Sequence, residues 1–200
     1  MMRRLHVVRH GNTFNSGEPL RRVGARTDMP LVSSGMAQAE ALGAWYAGRG
    51  LRFTRALCSP LLRTRQTAEA ILSASAHPCP LEYADFLKEI DHGPDENALE
   101  EDVLARIGQD AIHAWDQHAQ APDGWIVNHS DRIDAWRRFL SESGSGDVLL
   151  VTSNGAARFI LLAANLGVNA SLKLRTGACA EILQHDADRF TIVDWDVRPK

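Results

Sequence analysis

Short apolar runs and stretches of helical spacing alternate along the first part of the chain. Leu5–Val8 is an apolar run that stops at Arg9-His10-Gly11, and a polar, glycine-containing loop continues to Pro30. From Ser33 to about Gly48, Ala39, Leu42 and Tyr46 recur at helical period, with Ser33 or Ser34 available as N-cap. Arg55–Cys58 reads as a second strand. Pro60 then stands at a helix start, ahead of a stripe of Leu61, Thr64, Ala68, Ile71 and Leu72. Leu81–Leu87 reads as a third extended segment. Strand, helix, strand, helix, strand predicts an α/β domain with a largely parallel sheet.

The middle of the chain changes character. Residues 97–117 predict a charged amphipathic helix with Leu99, Val103, Ile107 and Ala111 on one face, and Ile133, Trp136 and Leu140 mark another helix after the Pro122-Asp123-Gly124 loop. These segments, from about residue 94 to 145, suggest a small helical cap. The parallel pattern resumes with a strand over Asp147–Thr152, a turn at Asn154–Gly155 and an apolar helix from Ala156 to Leu166. Ala178–Leu183 and Phe190–Trp195 read as a terminal hairpin. No repeat or linker divides the chain. The expectation is one domain over 1–200: a three-layer α/β/α sandwich with a mainly parallel sheet and a small helical cap insertion.

Composition narrows the function more than the fold. A net charge of −3 leaves no basic excess for phosphate backbones or anionic bilayers, so any anion recognition is local. The expectation is no nucleic-acid and no membrane partner. Three scattered cysteines, Cys58, Cys79 and Cys179, suit reduced thiols in a cytoplasm. The apolar run after Arg3-Arg4 is too short for a signal peptide. His6 with His10, and His113 with His118, lack the further ligands a zinc site needs. The five tryptophans are scattered and read as packing.

In open α/β sheets, ligand sites form beyond the carboxyl ends of the strands. Here those ends carry Arg9-His10-Gly11, Ser59 to Arg63, Glu89 and Ser153-Asn154-Gly155. Two arginines suit bidentate phosphate binding, an imidazole can attack phosphorus, and a carboxyl group can protonate the departing oxygen. "VVRHGNT" at residues 7–13 resembles the signature of the histidine phosphatase superfamily, the group that includes phosphoglycerate mutases. The resemblance continues in family order through "GARTDMPLVSSGMAQA" (24–39), "CSPLLRTRQTA" (58–68), "FLKEIDHG" (86–93) and "VLLVTSNGAARF" (148–159).

The resemblance implies a phosphomonoester hydrolase in which His10 is the nucleophile and Glu89 the acid and base. Arg9 and Arg63 would hold the phosphoryl oxygens, with Asn12 and Thr13 on the same loop. It implies no metal and no cofactor, and a small phosphorylated substrate. A mutase fits less well, because "RRVGARTD" stands where the mutase branch has its glycine-tryptophan segment. One departure matters: Ser153 occupies the position of the family's second catalytic histidine. A hydroxyl can donate to a phosphoryl oxygen, but losing one transition-state donor commonly costs about 10²–10³ in turnover. His92 and His129 are candidate substitutes. The alternative is a catalytically weakened phosphate-ligand binding or regulatory protein of the same fold. Arg21, Arg22 and Arg26 hint at a second anionic group on the ligand.

Overall fold

A computed structural model describes residues 2–77, 79–168 and 171–199. Six strands form one sheet: β1 (Arg3–Arg9), β2 (Phe53–Cys58), β3 (Leu81–Tyr83), β4 (Gly146–Thr152), β5 (Cys179–Gln184) and β6 (Phe190–Val197). Their order is β3-β2-β4-β1-β5-β6. The first four are mutually parallel, and β5 runs antiparallel to both β1 and β6.

Alternation along the central strands explains the layers, since successive side chains point to opposite faces. Leu5 and Val7 of β1, with Val148 and Leu150 of β4, enter one core together with Trp136, Phe139, Phe159 and Ile160. Val8, Leu149 and Val151 enter the other, against Leu42, Tyr46, Ala68 and Ile71. The helices α1 (Ser33–Gly48) and α2 (Leu62–Ser73) cover that second face. On the first face lie α3 (Glu100–His118), α4 (His129–Ser141) and α5 (Asn154–Ala163). The expected three-layer sandwich is therefore present.

Several boundaries differ from the expectation, each for a local reason. Only Leu81–Tyr83 of the segment 81–87 pairs with β2, and Asp85–Leu87 then coils into a 3-10 turn. Val32, not Ser33 or Ser34, caps α1; the Ser34 hydroxyl instead accepts from Asn12 Nδ2 at 3.3 Å. Asn154 and Gly155 form the first turn of α5 instead of a separate turn. That helix ends at Ala163, short of Leu166, because Asn165 takes a left-handed φ of 51°. The stripe expected over 97–117 breaks at Gly108 (φ 80°, ψ 160°), so α3 is two helical pieces meeting at a kink. Within the segment 94–145 the two helices have different neighbours: α4 packs Trp136 and Phe139 into the sheet's core, while α3 also walls a cavity at the strand ends.

Candidate active site

Register brings the motifs together. Arg9 at the end of β1 lies beside Thr152 at the end of β4, and Cys58 of β2 lies beside Val151. The His10 amide donates to Thr152 O at 3.1 Å, and Ser59 N donates to Val151 O at 3.1 Å. Thr152 Oγ1 donates to Leu87 O at 2.6 Å and so tethers the segment carrying Glu89. Gly11 and Gly35 allow the loop after β1 to meet α1. A Cβ at Gly11 would stand 2.2 Å from Gly35 O, and one at Gly35 would stand 2.1 Å from Asn12 O.

His10 is 5% exposed and held at both ring nitrogens. Nδ1 lies 2.8 Å from Gly11 O, which can only accept, so the proton resides on Nδ1. Nε2 is thereby an acceptor and receives Arg63 Nε at 3.2 Å. Burial, reinforced by Arg63 and Arg9, holds the His10 pKa well below 6.5 despite the Gly11 carbonyl. The imidazole is neutral at physiological pH.

Arg63, wholly buried on α2, spends its other donors on Thr27 O (2.7 Å) and Gly24 O (3.1 Å). The 24–27 loop is in turn gathered by the Glu96 carboxylate, which accepts from Gly24 N, Arg26 N, Thr27 Oγ1 and His92 N at 2.7–3.1 Å. Burial pushes Glu96 upward, but donation from His92 and Thr27 outweighs it and holds the carboxyl at about 2. Thr67 on α2 donates to Arg63 O and accepts from Gly11 N, joining the helix to the loop of His10.

Arg9 donates to Leu174 O through one terminal nitrogen at 2.7 Å, and its buried Nε has no partner among the described residues. Burial lowers its pKa to about 10 against the raising effect of Glu89, so it remains a cation at neutral pH. Asn12 accepts from Thr176 Oγ1 at 2.5 Å, and Thr176 accepts from Arg198. Glu89 is fixed by two amides: Ile90 N donates to Oε1 at 2.9 Å and Gly155 N to Oε2 at 3.1 Å. Arg132 donates to the carbonyls of Val127, Lys88 and Glu89, tying the segment that carries Glu89 to the start of α4.

Arg9, His10, Asn12, Thr13 and Glu89 line one cavity of about 1110 Å³, together with Asn154 and Gly155. Arg63 reaches it only through His10. Ser153 is wholly buried, and its Oγ has no partner among the described residues. Of the two candidate substitutes, His92 lines the cavity, its ring 4.5 Å edge-on from Trp125 and 3.7 Å from Glu96. His129 does not; its Nε2 lies 2.7 Å from Ala119 O and its ring packs on Phe159. Arg26 is likewise committed elsewhere, to Asp91 at 2.9 Å and Gly93 O at 2.7 Å. His6 is a core residue bonded to Asp147 between Tyr46 and Phe53. No group able to hold a metal ion occurs among the described residues, and none of their helices is long and apolar enough to cross a membrane.

Thr67, Glu96, Thr176 and Arg198 escaped the sequence reading. Each acts across a long sequence separation; Thr67 stands inside the 58–68 motif and Glu96 seven residues after Glu89, but their partners lie tens of residues away.

Comparison with known proteins identifies the family and the fold. The pattern of the histidine phosphatase superfamily (branch 1) matches residues 5–198. The probable phosphoglycerate mutase GpmB of Salmonella arizonae is 30% identical over 189 residues, covering 90% of this chain and 83% of that protein. A mycobacterial glucosyl-3-phosphoglycerate phosphatase has a similar structure (TM-score 0.78, 20% identity, 98% of this chain and 99% of the other). So does an alpha-ribazole phosphatase from Shigella flexneri (TM-score 0.72, 21% identity, 98% and 96%). The chain belongs to branch 1 of the histidine phosphatase superfamily.

Proposed function

We propose that the protein is a phosphomonoester hydrolase working through a phosphohistidine at His10. The observation that carries the reading is the His10 ring itself: Nδ1 is tied to Gly11 O, and Nε2 of the neutral, buried ring keeps a lone pair that accepts from Arg63 at the wall of the cavity. In the first step Nε2 attacks phosphorus and the ester P–O bond breaks. Protonated Glu89 gives its proton to the departing oxygen. In the second step the Glu89 carboxylate removes a proton from water as that oxygen attacks the phosphohistidine, releasing phosphate and restoring both side chains. Arg9 and Arg63 neutralise charge on the transferring group without a metal ion. Asn12 and Thr13 orient its oxygens.

A mutase would return the phosphoryl group to an acceptor alcohol instead of water. The phosphatase neighbours favour hydrolysis, and the mutase-named relative at 30% identity keeps transfer as the comparison arm. A second reading, a phosphate-binding protein with weak turnover, is favoured by one observation: Ser153, at the second-histidine position, is sealed from the cavity.

The test is phosphate release from a small phosphomonoester panel by wild type and His10→Ala, with rapid quenching for acid-labile, base-stable label on His10. Label and turnover in wild type alone are expected. Equal rates remove the nucleophile; ligand binding without label leaves the non-catalytic reading.

A further inference from the structure

The cavity extends far beyond the corner that would hold a phosphoryl group. Its other walls include Phe14, Leu20, Val23, Leu104, Ile112 and Trp115. Leu20 and Leu104 are 58% and 42% exposed, two of the few large apolar side chains that face solvent among the described residues, and both stand on this one cavity. The two pieces of α3 both contribute, through Leu104 before the break at Gly108 and Ile112 and Trp115 after it.

The charged groups around these walls are largely matched to one another. Arg22 pairs with Glu100 at 2.5 Å, Lys173 with Asp116 at 3.3 Å and Arg175 with Asp196 at 2.7 Å. Arg198 bonds Thr176, whose hydroxyl holds Asn12, so it belongs to the phosphate corner. Arg21, like Arg198, has no carboxylate partner among the described residues; it donates to Asn97 O at 2.8 Å from an exposed position. Away from the phosphate corner, a second anion could reach only Arg21 without breaking an ion pair between described residues, whereas an apolar body would cover surface that water now wets.

We propose that the site selects monophosphate esters of bulky apolar alcohols, aryl or extended alkyl, over phosphorylated small acids. This rests on the phosphomonoesterase reading of the same site. Cavities of roughly 300–1,000 Å³ bury most of a drug-sized ligand, and a three-carbon acid would leave most of about 1110 Å³ to water. The driving force is removal of apolar area from water on both partners, about fourfold in affinity per buried methylene.

Phosphonates, which have no ester bond to cleave, separate this inference from the catalytic one. Calorimetry on the wild-type protein would compare 1-naphthylmethylphosphonate with 2-carboxyethylphosphonate. The naphthyl compound is expected to bind at least about 30-fold more tightly. Leu104→Asp, and separately Leu20→Asp, are expected to cut that ratio about tenfold; both side chains are exposed enough to be replaced without emptying the core. Equal affinities, or a ratio untouched by both substitutions, overturn the proposal, as does binding of neither compound. The expected ratio with no turnover of 1-naphthyl phosphate supports the ligand class while removing the hydrolase reading.

Discussion

Arg63 Nε donates to His10 Nε2 across 3.2 Å, so the lone pair assigned to attack phosphorus is engaged by a cation. An arriving phosphoryl group must exchange with that hydrogen bond, and the guanidinium then lies beside the atom it is meant to neutralise. The other arms of Arg63 grip Gly24 O and Thr27 O, a planar fork that an ammonium cannot reproduce. Arg63→Lys is expected to lower kcat by about 10²-fold or more, measured by steady-state phosphate release. A loss of less than threefold would show that Arg63 serves packing alone.

Glu96 acts on His10 at second hand, through the 24–27 loop that Arg63 grips. Its folded pKa of about 2 lies below the unfolded value near 4.5, so the folded chain holds that proton less tightly. The stabilisation is complete above pH 4.5 and is lost as the pH falls toward 2. It amounts to about 3 kcal/mol. In urea titrations Glu96→Gln should be less stable than wild type at pH 7, and the gap should shrink as the pH falls below 4.5.

A methyl group at residue 155 would meet Glu89 Oε1 at 2.3 Å. Gly155→Ala is therefore expected to displace the acid and lower kcat by about tenfold or more, with little change in the affinity for inorganic phosphate. Gly48→Ala is the matched control. It lies in α1 with open space around a Cβ, and it should raise stability by about 0.5–1 kcal/mol without changing kcat.

His10 is buried neutral, whereas a histidine in the unfolded chain takes a proton below about pH 6.5. The unfolded state then binds more protons than the folded one, so this residue lowers stability as the pH falls from 6.5 toward its folded pKa. The slope approaches about 1.4 kcal/mol per pH unit. His10→Gln should flatten that part of the stability profile. The acid limb of kcat/KM in the wild type should accordingly not centre on 6.5.

The Ser153 hydroxyl is buried and has no partner among the described residues. A buried, unsatisfied hydroxyl costs roughly 1–3 kcal/mol, so Ser153→Ala should leave stability equal or slightly higher. If Ser153 turns to a phosphoryl oxygen during turnover, the same substitution should lower kcat about tenfold or more. Unchanged kcat would show that transfer proceeds without a donor from this position, and His92 would be the next residue to replace.

The gathering of the candidate residues was legible in the sequence, because the motifs fall at strand ends and strand ends meet at one edge of a parallel sheet. Arg9, His10 and Glu89 could be picked out on that ground, as could the two faces of β1 and β4 from their alternation. Boundaries set by long-range partners could not be read. Ser34 looks like a helix cap until Asn12 claims its hydroxyl, and the α3 stripe looks continuous until Gly108 breaks it. The sequence by itself determined that an α/β/α sandwich would bring Arg9, His10 and Glu89 to one edge, since this follows from residue type and spacing. Only the tertiary structure decided which of them touch. It buried Ser153 away from the cavity, spent Arg26 on Asp91 and His129 on Ala119 O, and joined Glu96 to His10 through a loop. Hydrogen-bond geometry between segments tens of residues apart leaves no trace in local sequence pattern.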